Sequence, residues 1–174
     1  MDLSYPIGNF DFQQAVPTET RPALIEHVAA TPSRLREAIR GLTDEQLDTP
    51  YRPGAWTVRQ VVHHLADSHM NSYIRLRFAL TEAEPEMKGY NEAVWAELVD
   101  ARSAPVDESL EILEGLHKRW VTLLRSMTEA DFLRAFRHSH YGRIRLDTNL
   151  ALYAWHGQHH VAHITGLRDR MGWG

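Results

Sequence analysis

The chain has 174 residues, of which 43% are hydrophobic and 24% are charged, and its formal net charge is −4. This size and balance are those of a soluble globular domain with a hydrophobic core of its own, and the scattered basic residues argue against a nucleic-acid or anionic-membrane surface. There is no cysteine, which excludes disulfides, a cysteine nucleophile and thiolate zinc ligands.

The first segment, residues 1–18, contains two prolines and a glycine and shows no helical period, so we expect an extended arm that lies over the domain. The spacing of the apolar residues after this arm predicts a helix, with Thr20 as its cap and Pro22 in its first turn. Pro32 interrupts this pattern, which predicts either a kink or a second helix capped by Thr31.

The next long helix begins after Gly54 and continues to about Glu82, as indicated by the spacing of its apolar residues. Residues 91–99 are predicted to form a short helix with Trp95 and Leu98 facing inward. The segment between these two helices is rich in breakers and is expected to be a loop.

A third long helix is predicted from about Val106, with Asp107 as its cap. Thr128 and Asp131 form a capping-box pattern at the start of a further short turn of helix. Residues 137–146 contain a Tyr-Gly turn between short polar stretches, which predicts a hairpin.

The last helix is predicted to be capped by Asp147 or Thr148 and to end at Gly172. Four long helices with long connections predict an all-α protein, namely a four-helix bundle with a short hairpin or loop insertion before the last helix. We expect residues 1–174 to form a single domain.

Neither a secretory leader nor a membrane span is indicated by the sequence. The N-terminus lacks a basic region followed by an apolar one, and no apolar run approaches the roughly 20 residues that cross a bilayer. We therefore expect a cytoplasmic protein without membrane or nucleic-acid partners.

The last helix carries four of the 11 histidines of the chain. Two pairs, His156 with His160 and His159 with His163, have the H-x-x-x-H spacing that brings two imidazoles to one face of a helix. On a helical wheel, His160 lies roughly 50° and His156 roughly 90° from the centre of the apolar face. These two are therefore the better ligand pair, with His163 near the margin and His159 on the surface.

The same wheel favours His64 over His63 as the inward residue of the earlier helix, at roughly 110° against roughly 150° from the apolar direction. Asp67 and Ser68 follow His64 on its own stripe, where a carboxylate can accept an imidazole N–H or act near a metal. His63 is predicted to face outward.

Three neutral histidines leave one position of a tetrahedral zinc ion open, as in catalytic sites, and nickel, iron or cobalt also accept imidazole ligands. The second interpretation is a helix face that is rich in histidine but has no specific function. The third interpretation is a structural metal site with a fourth protein ligand, which would be one of the spare histidines His63, His69 and His163.

Three stretches of the sequence are "GAWTVRQVVHHLADSHMNSYIRLR", "ALYAWHGQHHVAHI" and the closing "RMGWG". Together they closely resemble the DinB-like superfamily and, within it, the YfiT branch of bacterial metal-dependent hydrolases. The resemblance extends over most of the chain. It implies a four-helix bundle, often a homodimer, with one divalent metal ion per chain held by His64, His156 and His160. Zinc is the first expectation for this metal and nickel the second.

The expected function is that of a metal-dependent hydrolase of a small-molecule substrate, in which the metal activates a bound water. Position suggests Asp67, His163 and Tyr153 as candidates for the base or proton shuttle. The alternative is a thiol S-transferase of the bacillithiol type, in which the metal deprotonates a low-molecular-weight thiol cosubstrate. A non-catalytic metal-binding bundle is the second alternative.

Three arginines of the second helix, Arg59, Arg75 and Arg77, are interpreted first as surface residues that support solubility. Binding of an acidic cosubstrate is their alternative role. His138 and His140, in the predicted hairpin, are expected to be exposed, in a loop that overhangs the metal.

Overall fold

The computed structural model describes residues 2–173. Four long helices dominate it, which confirms the predicted four-helix bundle. They are α1 (Arg21–Ile39), α3 (Val58–Thr81), α6 (Val106–Ser126) and α8 (Leu146–Met171).

Short elements connect the long helices. They are α2 (Asp44–Leu47), β1 (Glu86–Met87), α4 (Glu92–Trp95), α5 (Val99–Ser103), α7 (Glu129–Phe132), β2 (Ala135–His138) and β3 (Gly142–Arg145). Strands β2 and β3 form the predicted hairpin, and β1 adds to β2 in parallel to give a three-stranded sheet. None of the helices in the described part of the chain is long and apolar enough to pass through a membrane.

The order of the long helices around the bundle differs from their order along the chain. Helix α1 packs against α6 and α8, and α3 packs against the same two helices. The order around the bundle is therefore α1, α6, α3, α8, with α1 diagonal to α3. The connections from α1 to α3 and from α6 to α8 each cross the bundle diagonally, which requires a long segment.

Local signals fix several of the helix ends. The hydroxyl of Thr57 accepts a hydrogen bond from the Gln60 backbone, and the Gln60 side chain accepts one from the Thr57 backbone, so a capping box starts α3. The predicted box of Thr128 and Asp131 is present in the same form. Gly172 ends α8 in the left-handed conformation (φ 67°), where glycine carries no steric penalty.

Three local predictions are wrong. Asp107 lies inside the first turn of α6 and caps nothing. Helix α8 starts before both of its predicted caps, and Asp147 instead accepts a hydrogen bond from Arg145 (2.5 Å). Trp95 and Leu98 are 37% and 51% exposed, because the end of α4 and the start of α5 lie on the bundle surface.

Pro32 lies inside α1 and does not divide it. The helix is continuous from Arg21 to Ile39, so Thr31 is an interior residue and not a second cap. A proline has no N–H to donate to the carbonyl four residues earlier, and here that carbonyl belongs to Val28. The continuous helix therefore contains one backbone acceptor without its helical donor.

The core consists of two apolar clusters separated by a polar layer. One cluster is built around Trp120 and the other around Leu65. In each long helix, buried polar side chains separate the residues of one cluster from those of the other. The central members of this polar layer are Thr31 in α1, His69 in α3 and His117 in α6, which are buried, and His156 in α8, which is half-buried.

The N-terminal residues contact one side of α8. The Gly8 carbonyl accepts a hydrogen bond from the indole of Trp155 (3.2 Å), and the Ser4 carbonyl accepts one from Nε2 of His163 (3.2 Å). The ring of Tyr5 lies 5.9 Å from that of His159. The arm therefore covers a face of α8 that the other long helices leave open.

Candidate metal centre

Three histidines from two helices converge in the middle of the bundle. Helix α8 places His156 and His160 one turn apart, and α3 brings His64 to the same point. One ring nitrogen of each lies within 4.8 Å of the others, and the two Nε2 atoms of His64 and His156 are 3.3 Å apart. Two nitrogens bound to a tetrahedral zinc ion at 2.0–2.1 Å are about 3.3–3.4 Å apart. The observed separation therefore fits a shared ion.

The three imidazoles are in the protonation state that ligation requires. Burial lowers the pKa of His64 to about 3, with a smaller contribution from His159, and it holds the pKa values of His156 and His160 well below their usual range. A metal binds neutral imidazole. These residues therefore keep a lone pair available at neutral pH without first losing a proton.

No fourth protein ligand joins the group within residues 2–173. His63, one of the spare histidines, donates from Nε2 to the Ala104 carbonyl (3.2 Å) and accepts at Nδ1 from Ser109 (2.8 Å). Nε2 of His163 donates to the Ser4 carbonyl. A three-ligand set of this kind is typical of metal sites that keep an open position for water or substrate.

A relay of hydrogen bonds supports His156 from behind. Its Nδ1 lies 3.1 Å from Nε2 of His69, and Nδ1 of His69 lies 2.8 Å from Nε2 of His117. Nδ1 of His117 lies 2.7 Å from the Val28 carbonyl oxygen. The relay is thus a line of three imidazoles that ends on a backbone acceptor.

The carbonyl at the end of this relay determines where each proton is. The Val28 oxygen only accepts, so Nδ1 of His117 carries the hydrogen and its Nε2 is an acceptor. Nδ1 of His69 then donates to His117, and Nδ1 of His156 donates to His69. Nε2 of His156 is left without a proton and faces the other two ligands. Outer hydrogen bonds of this kind fix the tautomer and orientation of metal-binding histidines.

A cavity of about 540 Å³ opens beside the three histidines, a volume suited to a small-molecule ligand. Aromatic rings from the N-terminal arm, the helices and the hairpin form much of its wall. They include Tyr5, Phe10, Phe12, Trp56, Phe136, Tyr141 and Trp155. Trp56 packs on the ligand His64, with ring centroids 4.6 Å apart. The hairpin thus reaches the cavity, and its His138 is buried, contrary to the prediction, whereas His140 is exposed.

Two further predictions about histidines are wrong. His159 is buried, stacked on Trp155 with ring centroids 4.4 Å apart and covered by the arm. The helical wheel missed this because it counted only the apolar residues of α8 and not the segment that lies on its other side. His63 is buried as well, in the polar contact with Ser109 that joins α3 to α6.

His159, His160 and His163 form a second group with ring nitrogens within 4.8 Å of one another. His160 is shared with the first group. Neither His159 nor His163 lines the cavity beside His64, His156 and His160. The ring of His163 stacks on Tyr51 with centroids 4.0 Å apart. This second group lies under the arm, away from the space in which a substrate fits.

Of the three residues suggested for proton transfer, the structure brings only Tyr153 to the cavity. Its hydroxyl lies 3.2 Å from that of Ser68, and burial raises its pKa, so it is a neutral hydrogen-bond donor. His163 borders a separate cavity of about 190 Å³. Asp67 lies outside the lining of the large cavity, although burial, followed by the charge of Asp100, raises its pKa to about 6.

The sequence analysis missed the relay. His117 stands where the inward stripe of α6 would place an apolar residue, four positions after Leu113 and three before Trp120. A histidine at such a position is a signal of a buried polar contact. Pro32, four residues after Val28, is the second signal that was available.

The fold and this geometry define a class of protein, a helical bundle with three histidines that could hold a metal ion at the edge of a cavity. The model of the DinB superfamily matches residues 27–164, and the chain belongs to that superfamily.

Relatives of nearly the same length support this membership. A "Putative metal-dependent hydrolase" of Bacillus cereus (strain 03BB102) is 52% identical over 172 residues, covering 99% of each chain. A protein of the same description from Bacillus mycoides (strain KBAB4) has the same identity and coverage. Among solved structures, YfiT from Bacillus subtilis, described as a probable metal-dependent hydrolase with an unusual four-helix bundle topology, superimposes with a TM-score of 0.96. It is 48% identical, with all of both chains covered.

Proposed function

We propose that this protein is a metal-dependent hydrolase of a small molecule, with one divalent ion held by His64, His156 and His160. The single observation that carries the proposal is the convergence of three neutral imidazoles, two buried and one half-buried, beside a cavity, with no fourth protein ligand in the described chain. The names of the relatives from Bacillus support the same activity. Zinc is our first expectation for the ion, and nickel accepts the same ligands.

When bound, such an ion supplies Lewis acidity, which polarises a scissile carbonyl or phosphoryl group and lowers the pKa of a coordinated water. The chain itself performs the other tasks. The relay through His69 and His117 holds Nε2 of His156 toward the centre. The aromatic wall excludes bulk water, which strengthens electrostatic interactions inside the cavity.

Tyr153 has the position and protonation state of a hydrogen-bond donor to the substrate. Its hydroxyl borders the cavity and contacts Ser68, and its ring lies next to His156, with centroids 5.4 Å apart. A neutral donor at this place stabilises negative charge that develops on a substrate oxygen during hydrolysis. Asp67 and His163 lie outside the cavity lining, so we assign no step to them.

The test is turnover of metal-loaded protein on a panel of esters and amides, with and without low-molecular-weight thiols and the electrophile monochlorobimane. We expect thiol-independent hydrolysis that disappears in His64→Ala, His156→Ala and His160→Ala and persists in His140→Ala, which changes an exposed histidine. Activity that requires a thiol would instead establish the transferase. Absence of both reactions across a broad panel, despite one bound metal ion per chain, would favour the non-catalytic bundle.

A further inference from the structure

Three arginine side chains are buried in this protein, and two of them are neutralised by carboxylates. Arg21 and Arg59 each form two ion pairs. Their partners are Glu129 and Asp147 for Arg21, and Asp44 and Asp48 for Arg59. The surface role predicted for Arg59 is therefore wrong, because its guanidinium is 7% exposed and tied to two acids.

Arg75 is the exception among the three. It is also 7% exposed, yet within residues 2–173 no carboxylate lies within ion-pair distance of its guanidinium. Its hydrogen bond goes from Nη2 to the Lys88 carbonyl (3.2 Å). A surface role is thus wrong for Arg75 too. Arg77, two residues later, is exposed as predicted.

A buried charge without a counter-charge is unfavourable, and for arginine deprotonation offers no escape. Natural proteins keep such a group where a ligand supplies the missing charge. Arg75 lines the same cavity as the three histidines. The counter-charge for which it is positioned can therefore come from a molecule in that cavity.

The surroundings of Arg75 favour a ligand with one negative charge. Among the described residues, the cavity lining contains no other arginine and no lysine, and its one acidic residue, Glu92, is exposed. One guanidinium fork without a second cation beside it matches a carboxylate in charge and geometry.

The distance between this subsite and the metal centre limits the shape of the ligand. His64 and Arg75 are eleven residues apart on α3, which is close to three full turns, so they share one face of the helix. Their backbones are separated by about 16 Å along the helix axis. A molecule that contacts both the histidines and Arg75 therefore lies along α3, and the aromatic lining of the cavity suits an apolar body.

We propose that Arg75 binds a carboxylate at the far end of the substrate from the reacting group, so that the substrate class is an extended monocarboxylate with an apolar body. The statement that the reacting group of the substrate lies at the metal rests on the proposed hydrolase function. The carboxylate subsite itself does not need a metal ion to be present.

The subsite is tested by isothermal titration calorimetry on protein freed of metal with a chelator. The ligands are 4-phenylbutyrate and its neutral amide, 4-phenylbutyramide. We expect wild-type protein to prefer the carboxylate at least tenfold, and Arg77→Gln, the matched change on the same helix, to keep that preference. Arg75→Gln should bind the two ligands equally, with amide affinity unchanged, and Arg75→Lys should retain part of the preference.

The outcomes separate this inference from the proposed function. Uptake of one zinc ion per chain by Arg75→Gln checks that the variant is folded. A carboxylate preference that survives in Arg75→Gln would overturn the proposal, and so would wild-type protein that does not distinguish the two ligands or binds neither. Because no metal is present, these results leave the hydrolase proposal standing, and a failure of the hydrolase proposal leaves the carboxylate subsite standing.

Discussion

Nδ1 of His117 donates a hydrogen bond across 2.7 Å to the carbonyl of Val28, at the point in α1 where Pro32 leaves that carbonyl without its helical donor. An interior proline ordinarily weakens a helix. Here it leaves the Val28 carbonyl free to accept from His117. That hydrogen bond determines which ring nitrogen carries the proton in His117, His69 and His156. The proline of one helix thereby orients a proposed metal ligand on another.

Replacing His117 by phenylalanine should weaken metal binding although all three ligands remain. Without the acceptor at His117, His69 is free to present an N–H to His156, and the proton of His156 then moves to the nitrogen that binds the metal. We expect an affinity for zinc that is about 10–100-fold lower, which is the usual effect of losing a hydrogen bond behind a ligand. Competition with a chromophoric chelator measures this change.

The matched control is His140→Phe, which alters an exposed histidine and should leave the affinity unchanged. Nitrogen-15 NMR of the metal-free wild type provides a second measurement, because the relay requires the Nδ1–H tautomer at three histidines. Wild-type affinity in His117→Phe, or Nε2–H tautomers at His69 and His156, would show that the relay does not position the ligand.

The metal-free protein should lose stability as the pH falls below about 6.5. Burial lowers the pKa of His117 from 6.5 to about 4, so between these values the unfolded chain binds a proton that the folded chain does not. Stability from this residue is complete above pH 6.5 and declines as the pH falls toward 4. Between pH 7 and pH 5 the loss from His117 alone is on the order of 2 kcal/mol.

Urea unfolding at pH 7 and pH 5, with a chelator present, measures this dependence. In His117→Gln the decline over the same interval should be smaller by about 2 kcal/mol, because glutamine does not titrate. Equal declines in the two proteins would mean that His117 titrates alike in the folded and unfolded chains, which would contradict the lowering of its pKa by burial.

Gly157 should be intolerant of even a methyl group. A Cβ built there would lie 2.5 Å from Oγ1 and 2.8 Å from Cγ2 of Thr31, so α1 and α8 approach too closely for a side chain. We expect Gly157→Ala to lower the free energy of unfolding by about 1–3 kcal/mol. Thr31→Ala combined with Gly157→Ala should recover part of the loss, since it removes both contacting atoms.

Gly115→Ala is the matched change, because nothing lies within 4 Å of a Cβ at that position of α6. It should raise the free energy of unfolding by up to about 1 kcal/mol through the lower entropy of the unfolded chain. Thermal unfolding of the variants gives the comparison. A neutral Gly157→Ala would indicate that the two helices separate easily.

The four helices and the pairing of His156 with His160 follow from local signals in the sequence, whereas the resemblance to the DinB-like superfamily implied that His64 joins them. The spacing of His156 and His160 on one helix and the end of that helix at Gly172 can be predicted from one segment at a time. The relay cannot, because it joins α1, α3, α6 and α8, and its acceptor is a backbone oxygen. Such partners are set by the diagonal arrangement of the helices, which no single segment contains.

The errors of the sequence analysis share a related cause. His159 and His63 were placed on the surface because a wheel compares residues within one helix, whereas the arm and α6 cover them from outside. Arg75 was interpreted as a surface residue because arginine usually is one. Its burial without a carboxylate partner becomes visible only when the neighbouring elements are in place.

Tyr153→Phe tests the donor that the cavity presents to the substrate. The change removes the hydroxyl that contacts Ser68 and keeps the ring beside His156, so zinc affinity should stay at the wild-type value. If the hydroxyl stabilises charge in the transition state, kcat for hydrolysis should fall about 100-fold with little change in KM. Ser68→Ala, which removes only the partner of that hydroxyl, should have a smaller effect. A Tyr153→Phe enzyme with unchanged kcat and weaker substrate binding would instead assign Tyr153 to substrate recognition alone.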